Sequence, residues 1–234
     1  VPGPHEFGHE THFRLYTIAN SPDQDSGNTV EIELCVRRCF YIDEFSGELE
    51  PGIASNYLCD LRSGDSVSIT GPYGGIFKMP EDPHSNLLMI GSGTGIAPFR
   101  AFIQHVYHQQ KGEWHGELRL YYGARSGAEN LYRNDQLNDM DKYYDQKTFH
   151  AFEGVSHRPW MSEEEDGLHQ LLDDNAAEIW ELIQDPKTYL YLAGLQKTRD
   201  NFEHIMLQTA ESRARWRWTR EEMIEQGRWS ELIY

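Results

Sequence analysis

The chain has 234 residues, 38% of them hydrophobic and 12% aromatic, enough to bury one large core or two smaller ones, and two domains are expected. A formal charge of −17 and a pI near 5.0 argue against nucleic acid as a partner, because phosphates need a basic surface. No stretch approaches the roughly eighteen uninterrupted apolar residues of a membrane span, and the first residues lack a charged-then-apolar leader, so a cytoplasmic protein with no membrane span is the default expectation.

In chain order, residues 12–78 are strand-like. Val30 to Val36 alternates apolar and polar residues at period two, as does Ser66 to Thr70 ahead of a Gly-Pro turn, which predicts antiparallel strands. Tyr57 to Leu61 closes a short helix with Ser55 near its start. Cys35, Cys39 and Cys59 form no C-x-x-C pair, and His105 and His108 have no matching ligands nearby, so neither a disulfide framework nor a metal centre is expected.

At Pro80-Glu81-Asp82-Pro83 the pattern changes, giving expected domains of 1–82 and 83–234. Beyond it, apolar strands at 87–90, 118–122, 148–152 and 188–192 alternate with helices around 97–110, 129–140, 167–184 and 196–211. That is the signature of a doubly wound α/β parallel sheet. Glu163 to Asp166 reads as a solvated acidic loop. Arg213, Arg215, Arg217 and Arg220 read either as a docking patch for an acidic partner or as a solvated helix face balanced by Glu221, Glu222 and Glu225.

Gly91-Ser92-Gly93-Thr94-Gly95-Ile96-Ala97-Pro98-Phe99-Arg100 follows the first of those strands. Strand, glycine turn and helix start together make a phosphate cradle, with free N–H groups at the helix start facing the anion. The proline in the first helical turn loses no hydrogen bond there. By itself such a turn is equally an ordinary strand-to-helix connection.

Two upstream segments add to it. Arg14-Leu15-Tyr16-Thr17 and Gly52-Ile53-Ala54-Ser55-Asn56-Tyr57-Leu58 precede the glycine turn, in the order R-x-Y-[ST], G-x-x-S-N-[FY]-L, G-x-G-[ST]-G-x-A-P-x-R. This order resembles the plant-type ferredoxin-NADP(H) reductases and the related reductase domains of diflavin enzymes. The resemblance runs on through Ala193-Gly194-Leu195 to Trp229 and Tyr234.

It implies an antiparallel Greek-key β-barrel that binds FAD, followed by an NADP-binding α/β domain. Roughly half of the family's barrel strands precede the Arg14 segment, so the barrel here is expected to be N-terminally incomplete, as a fragment, a cleaved subunit or the tail of a longer chain. The implied FAD contacts are Arg14 on the pyrophosphate, Tyr16 and Thr17 along the flavin, and Ile53, Ala54 and Ser55 at a helix start. Arg37 and Tyr41 match positions near the nucleotides. Gly93, Thr94, Gly95, Gly194 and Leu195 match the nicotinamide side. Ser156 and Gln170 match residues that grip the 2′-phosphate and adenine, but His157 stands at the family's arginine position, with Arg158 one later, and Leu168 at its stacking tyrosine. NADP is therefore favoured, with NAD possible.

The resemblance assigns catalytic roles to Thr17 and to Tyr234, which would lie over the flavin ring and yield to the nicotinamide. The family's cysteine and glutamate beside the reacting carbon are Ala193 and Leu232 here, leaving Glu231 as the acidic candidate one position away. The implied function is an FAD-dependent oxidoreductase between NADPH and a one-electron carrier such as ferredoxin or flavodoxin. The alternatives are the reductase component of a multicomponent oxygenase of the benzoyl-CoA epoxidase type, or a noncatalytic electron-transfer or docking subunit.

Overall fold

A computed structural model describes residues 2–3, 10–11, 13–21, 29–75, 77–109, 113–124, 131–132, 140–144, 146–156 and 167–234. In the first third, β1 (Pro2–Gly3) pairs antiparallel with β2 (Glu10–Thr11), and β3 (Phe40–Ile42) with β4 (Leu49–Pro51). The helix α1 (Ile53–Asp60) follows directly. The continuous strands expected at 30–36 and 66–70 are absent among the described residues. Instead a single antiparallel bridge joins Ile18 to Leu34, and the Ala19 N–H donates to the Glu33 carbonyl at 2.8 Å. Alternation marks the two faces of a strand, but a ladder also needs a neighbour for its N–H and C=O groups. Among its described residues the same region buries little: Ala19 and Ala54 are the buried hydrophobics, while Leu15, Ile42, Leu49 and Ile69 stay exposed.

The remainder is an α/β sheet built as its sequence predicts. Its strands are β5 (Asn86–Ser92), β6 (Leu118–Ala124), β7 (Phe149–Val155), β8 (Thr188–Gly194) and β9 (Trp229–Ile233), parallel and ordered β7-β6-β5-β8-β9. Its helices are α2 (Ile96–Gln104), continued by a π turn to Gln109, α3 (Gly167–Asp174), α4 (Ala176–Gln184), α5 (Gln196–Thr209) and α6 (Arg213–Glu225). Strand alternation sends Leu87, Met89, Tyr191 and Ala193 to the α2 face with Phe99 and Ile103. Leu88, Ile90, Leu190 and Leu192 go to the other face with Phe202, Met206, Trp216 and Met223. Each such side chain stabilises the fold by roughly 1.5–3 kcal/mol, so stability resides in this part of the chain.

Three details depart from expectation. The helix expected over 167–184 breaks at Asn175 (φ −108°, ψ 11°), whose side-chain amide donates to the Leu171 carbonyl at 2.7 Å, a local bond that competes with the helix. The helix expected over 129–140 lies largely outside the described residues, which show a 3-10 turn at Asp141–Tyr143 just beyond it. The fifth strand, β9, carries a polar and a charged residue and escapes a search for apolar runs. Because β6 lies on one side of β5 and β8 on the other, the chain reverses direction of travel across the sheet beside β5. The crevice beyond the carboxyl ends of β5 and β8 is where ligands of such sheets bind.

Candidate functional site at the carboxyl edge of the sheet

The glycine turn fills that edge. β5 runs into a 3-10 turn, Gly93–Gly95, and then directly into α2. Gly93 has φ +54°, a left-handed state that glycine adopts without penalty. A Cβ on Gly95 would stand 2.3 Å from the Ala193 carbonyl oxygen, so the turn rests against the end of β8. Tyr122 donates its hydroxyl to the Gly93 carbonyl at 2.9 Å, and Ser92 and Thr198 share a hydrogen bond of 2.9 Å. Beyond Gly194, α5 starts at the same edge. Two helix N-termini with their unpaired N–H groups thus meet at one crevice, an environment that favours anions.

Tyr234 reaches this crevice from β9. Its N–H donates to the Gly194 carbonyl at 3.1 Å, and its hydroxyl shares a 2.5 Å hydrogen bond with Thr94 Oγ1. Burial holds the phenol above its usual pKa and the nearby Cys35 thiol pushes the same way, while Thr94, Gly95 and Arg37 pull it down. Thr94, Gly95, Gly194, Arg37 and Tyr234 therefore come together, although they span most of the sequence.

The flavin-side residues group around α1. Tyr16 lies within electrostatic reach of Cys39, Cys59 and Arg14; burial raises its phenol pKa, the two thiols add to this, and Arg14 opposes it. The first backward helical bond of α1 runs from the Asn56 N–H to the Gly52 carbonyl at 3.0 Å, leaving the N–H groups of Ile53, Ala54 and Ser55 ahead of it. The Ser55 hydroxyl accepts from the Cys39 N–H at 3.1 Å and donates to the Gly52 carbonyl at 3.3 Å. Asn56 donates to the carbonyls of Cys39 (2.9 Å) and Gly52 (2.8 Å), and Arg38 donates to Asn56 and Asp60. The hydroxyl expected to touch FAD thus anchors the helix start, and backbone N–H groups are what α1 offers an anion. Thr17 precedes the Ile18–Leu34 bridge, and Arg14 and Tyr41 are exposed.

The residues matched to the adenosine end are more dispersed. Ser156 Oγ accepts from the Gly167 N–H at 3.2 Å, and a Cβ on Gly154 would fall 2.1 Å from the Gly167 carbonyl oxygen. Gln170 is exposed and donates to Asp174 at 2.8 Å, Leu168 is buried, and Leu195 caps the start of α5. His157 and Arg158 lie outside the described residues.

One expectation needs correction. Glu231 does not stand beside Tyr234. Alternation along β9 turns it to the face opposite Leu232 and Tyr234, where it accepts from Trp229 Nε1 at 2.5 Å and lies 3.7 Å from Arg199 and 3.8 Å from Arg220. Ala193 and Leu232 are register partners on β8 and β9 and pack on the α2 face, so two separate departures from the family pattern form one apolar pair. On α6, Arg217 pairs with Glu221, Arg220 with Glu203, and Arg215 lies over Trp180, which favours the solvated, internally balanced face over a free basic patch. Sequence reasoning missed Tyr122, Thr198 and Arg199, whose roles depend on contacts distant in sequence and carry no local pattern.

Residues 89–223 match the oxidoreductase NAD-binding domain family, and residues 5–77 match the oxidoreductase FAD-binding domain family. The cyanelle ferredoxin-NADP reductase of Cyanophora paradoxa is 35% identical over 208 residues, which is 88% of this chain and 56% of that protein. The ferredoxin-NADP reductase of Synechocystis is 32% identical over 239 residues, covering 100% of this chain and 57% of the relative. Leaf isozyme 1 of the chloroplastic enzyme of Arabidopsis thaliana is 34% identical over 200 residues, covering 84% and 55% respectively. The chain spans little more than half the length of these curated relatives.

Proposed function

Because the chain belongs to the plant-type ferredoxin-NADP(H) reductase family, we propose that it is an FAD-dependent oxidoreductase passing electrons between NADPH and a one-electron carrier such as ferredoxin or flavodoxin. The carrying observation is the convergence of the Gly93-Thr94-Gly95 turn, the start of α5 and the Thr94–Tyr234 hydroxyl pair at the switch point of the sheet. We divide the chain into an FAD-binding part, 1–82, and an NAD(P)-binding part, 83–234. Antiparallel pairing in the first and the parallel sheet from Asn86 in the second support that division.

The residues fit both cofactors. Arg14, Tyr16, Thr17 and the N–H groups of Ile53, Ala54 and Ser55 would hold FAD, with Arg37 and Tyr41 alongside. Gly93, Thr94, Gly95, Gly194 and Leu195 would hold the nicotinamide half of NADP, and Ser156, Arg158 and Gln170 the phosphorylated adenosine. Bound together, the two cofactors supply hydride chemistry and the division of an electron pair into single electrons. The work of the chain is orientation. Tyr234, whose hydroxyl bonds to Thr94, would cover the crevice until a nicotinamide ring took its place. The glycine turn, set against β8, gives the pyrophosphate a preformed seat.

Stopped-flow mixing of the FAD-loaded protein with NADPH tests the reading. Rapid loss of the oxidised flavin absorbance is expected, faster with NADPH than with NADH; a yellow protein that neither nucleotide reduces would refute it. The apolar Ala193–Leu232 pair favours one rival, a noncatalytic electron-transfer subunit that binds both nucleotides but passes hydride poorly. The same experiment separates the two.

A further inference from the structure

Arg100 is 4% exposed and lies outside the glycine turn that faces the crevice. Its Nη1 donates to the Ala19 carbonyl at 2.7 Å and pairs with the Glu33 carboxylate at 2.9 Å, while the guanidinium carbon stands 4.5 Å from the ring centre of Tyr132. Tyr132 is buried with a φ of +62°, a backbone state that a bulky side chain rarely adopts, and it lies within electrostatic reach of the Cys35 thiol. One turn further along α2, Gln104 Oε1 accepts from the Ser21 N–H at 3.0 Å. The helix that begins at the nicotinamide-side turn therefore grips, through Arg100 and Gln104, the segment that carries Arg14, Tyr16 and Thr17. Packing alone does not call for a guanidinium here: burying a charge is unfavourable unless every partner is in place, and an apolar side chain would fill the space without that cost.

We infer that Arg100 is a positioning residue: through Ala19, Glu33 and Tyr132 it fixes the flavin-side strand against the nicotinamide-side helix and so sets the separation of Thr17 from Thr94. This rests on the proposed reductase reading. Arg100 lies outside the residues assigned to either nucleotide; its effect passes through the backbone at Ala19, two residues beyond Thr17. A lysine cannot satisfy it, because one ammonium does not serve a carbonyl, a carboxylate and a ring face together.

The test uses the full-length protein loaded with FAD, as wild type, Arg100→Gln, Arg100→Lys and Glu33→Gln. For Arg100→Gln, FAD content and the Kd for NADP+ should stay within about threefold of wild type while flavin reduction by NADPH slows on the order of 100-fold. Arg100→Lys should recover only part of the rate, and amide hydrogen exchange across residues 14–21 should quicken in Arg100→Gln without nucleotide. A reduction rate within threefold of wild type would overturn the inference, as would a loss of NADP+ affinity as large as the loss of rate. Should Arg100→Gln fail to fold, Glu33→Gln decides, because that carboxylate is 43% exposed and its loss leaves the core intact; an unchanged rate overturns the inference. If wild-type protein binds FAD but NADPH does not reduce it, the reductase reading fails by itself. Exchange at 14–21 then tests Arg100, and unaltered exchange rejects its role.

Discussion

Replacing Gly95 by alanine should damage both the fold and the crevice, and the size of the effect follows from local geometry. The added Cβ would lie 2.3 Å from the Ala193 carbonyl oxygen, 2.6 Å from its carbon and 3.0 Å from the Gly194 nitrogen. Ordinary contact with such atoms begins more than 3 Å away, so the turn or the end of β8 must retreat by about 1 Å. Gly95 has right-handed dihedrals, φ −61° and ψ −12°, in which alanine is favoured by roughly 0.4–1 kcal/mol through the unfolded chain, so any loss is steric. Overpacking of this kind costs about 1–3 kcal/mol, leaving a net destabilisation of about 1–2 kcal/mol. For a chain of this size that is a fall in Tm of roughly 3–6 °C. Thermal unfolding followed by circular dichroism, with an NADP+ titration of the same samples, measures both effects, and NADP+ binding should weaken about tenfold or more. A Gly95→Ala protein that melts at or above wild type with an unchanged Kd would refute the argument. Gly93→Ala separates the causes: nothing lies within 4 Å of its Cβ, and its penalty of about 1 kcal/mol is purely the left-handed φ.

Other outcomes follow from the same geometry. Glu231→Gln should leave flavin reduction within threefold of wild type and lower stability by about 1 kcal/mol, since its carboxylate binds Trp229, Arg199 and Arg220; a tenfold slower reduction at unchanged Tm would instead return it to the crevice. Ala193→Cys with Leu232→Glu should accelerate flavin reduction by at least tenfold if the apolar pair limits it, which single-turnover absorbance measures, and no gain would clear that pair of responsibility. The Tyr107 phenol, which shares a hydrogen bond with Thr148, is pushed by burial from 10.0 up to about 12. The folded state therefore holds that proton more tightly than the unfolded chain, so the associated stability is complete below pH 10 and is lost as pH rises toward 12. Tyr107→Phe should make the decline over that interval shallower by roughly 1 kcal/mol after solvent screening, as read from urea midpoints at each pH.

The centre of the parallel sheet was legible because β5 and β8 are near-continuous apolar runs buried on both faces, as in Leu87 to Ile90, and each ends on small residues, whereas β9, with Ser230 and Glu231, gave no such run. The glycine turn was legible for a related reason: close approach leaves a mark in composition, and Gly91 and Gly95 stand where any side chain would strike β8 or Phe99. The front part was read less well. Val30 to Val36 alternates cleanly, yet its only ladder contact among the described residues is Leu34 with Ile18, because pairing belongs to two segments and the pattern to one. Ser55 illustrates a subtler limit. Its place at a helix start was visible, but its bond to the Cys39 N–H could not be seen without the strand alongside. Glu231 shows a further limit: residue order conveys proximity along β9, but alternation sends neighbours to opposite faces, so one position away in sequence is the other side of the sheet in space.

The contact at Gly154 and Gly167 has a practical side. Their backbones touch, and Ser156 is tied to the Gly167 N–H, so the positions flanking the interval 157–166 form a neck held by described residues alone. Closure costs vary slowly with the length of what is enclosed, and the neck is secured by residues outside the interval. That makes the stretch a cassette. Exchanging it for a segment of different charge or length should alter which dinucleotide is preferred while the sheet, its register and the seat at Gly93–Gly95 stay as they are.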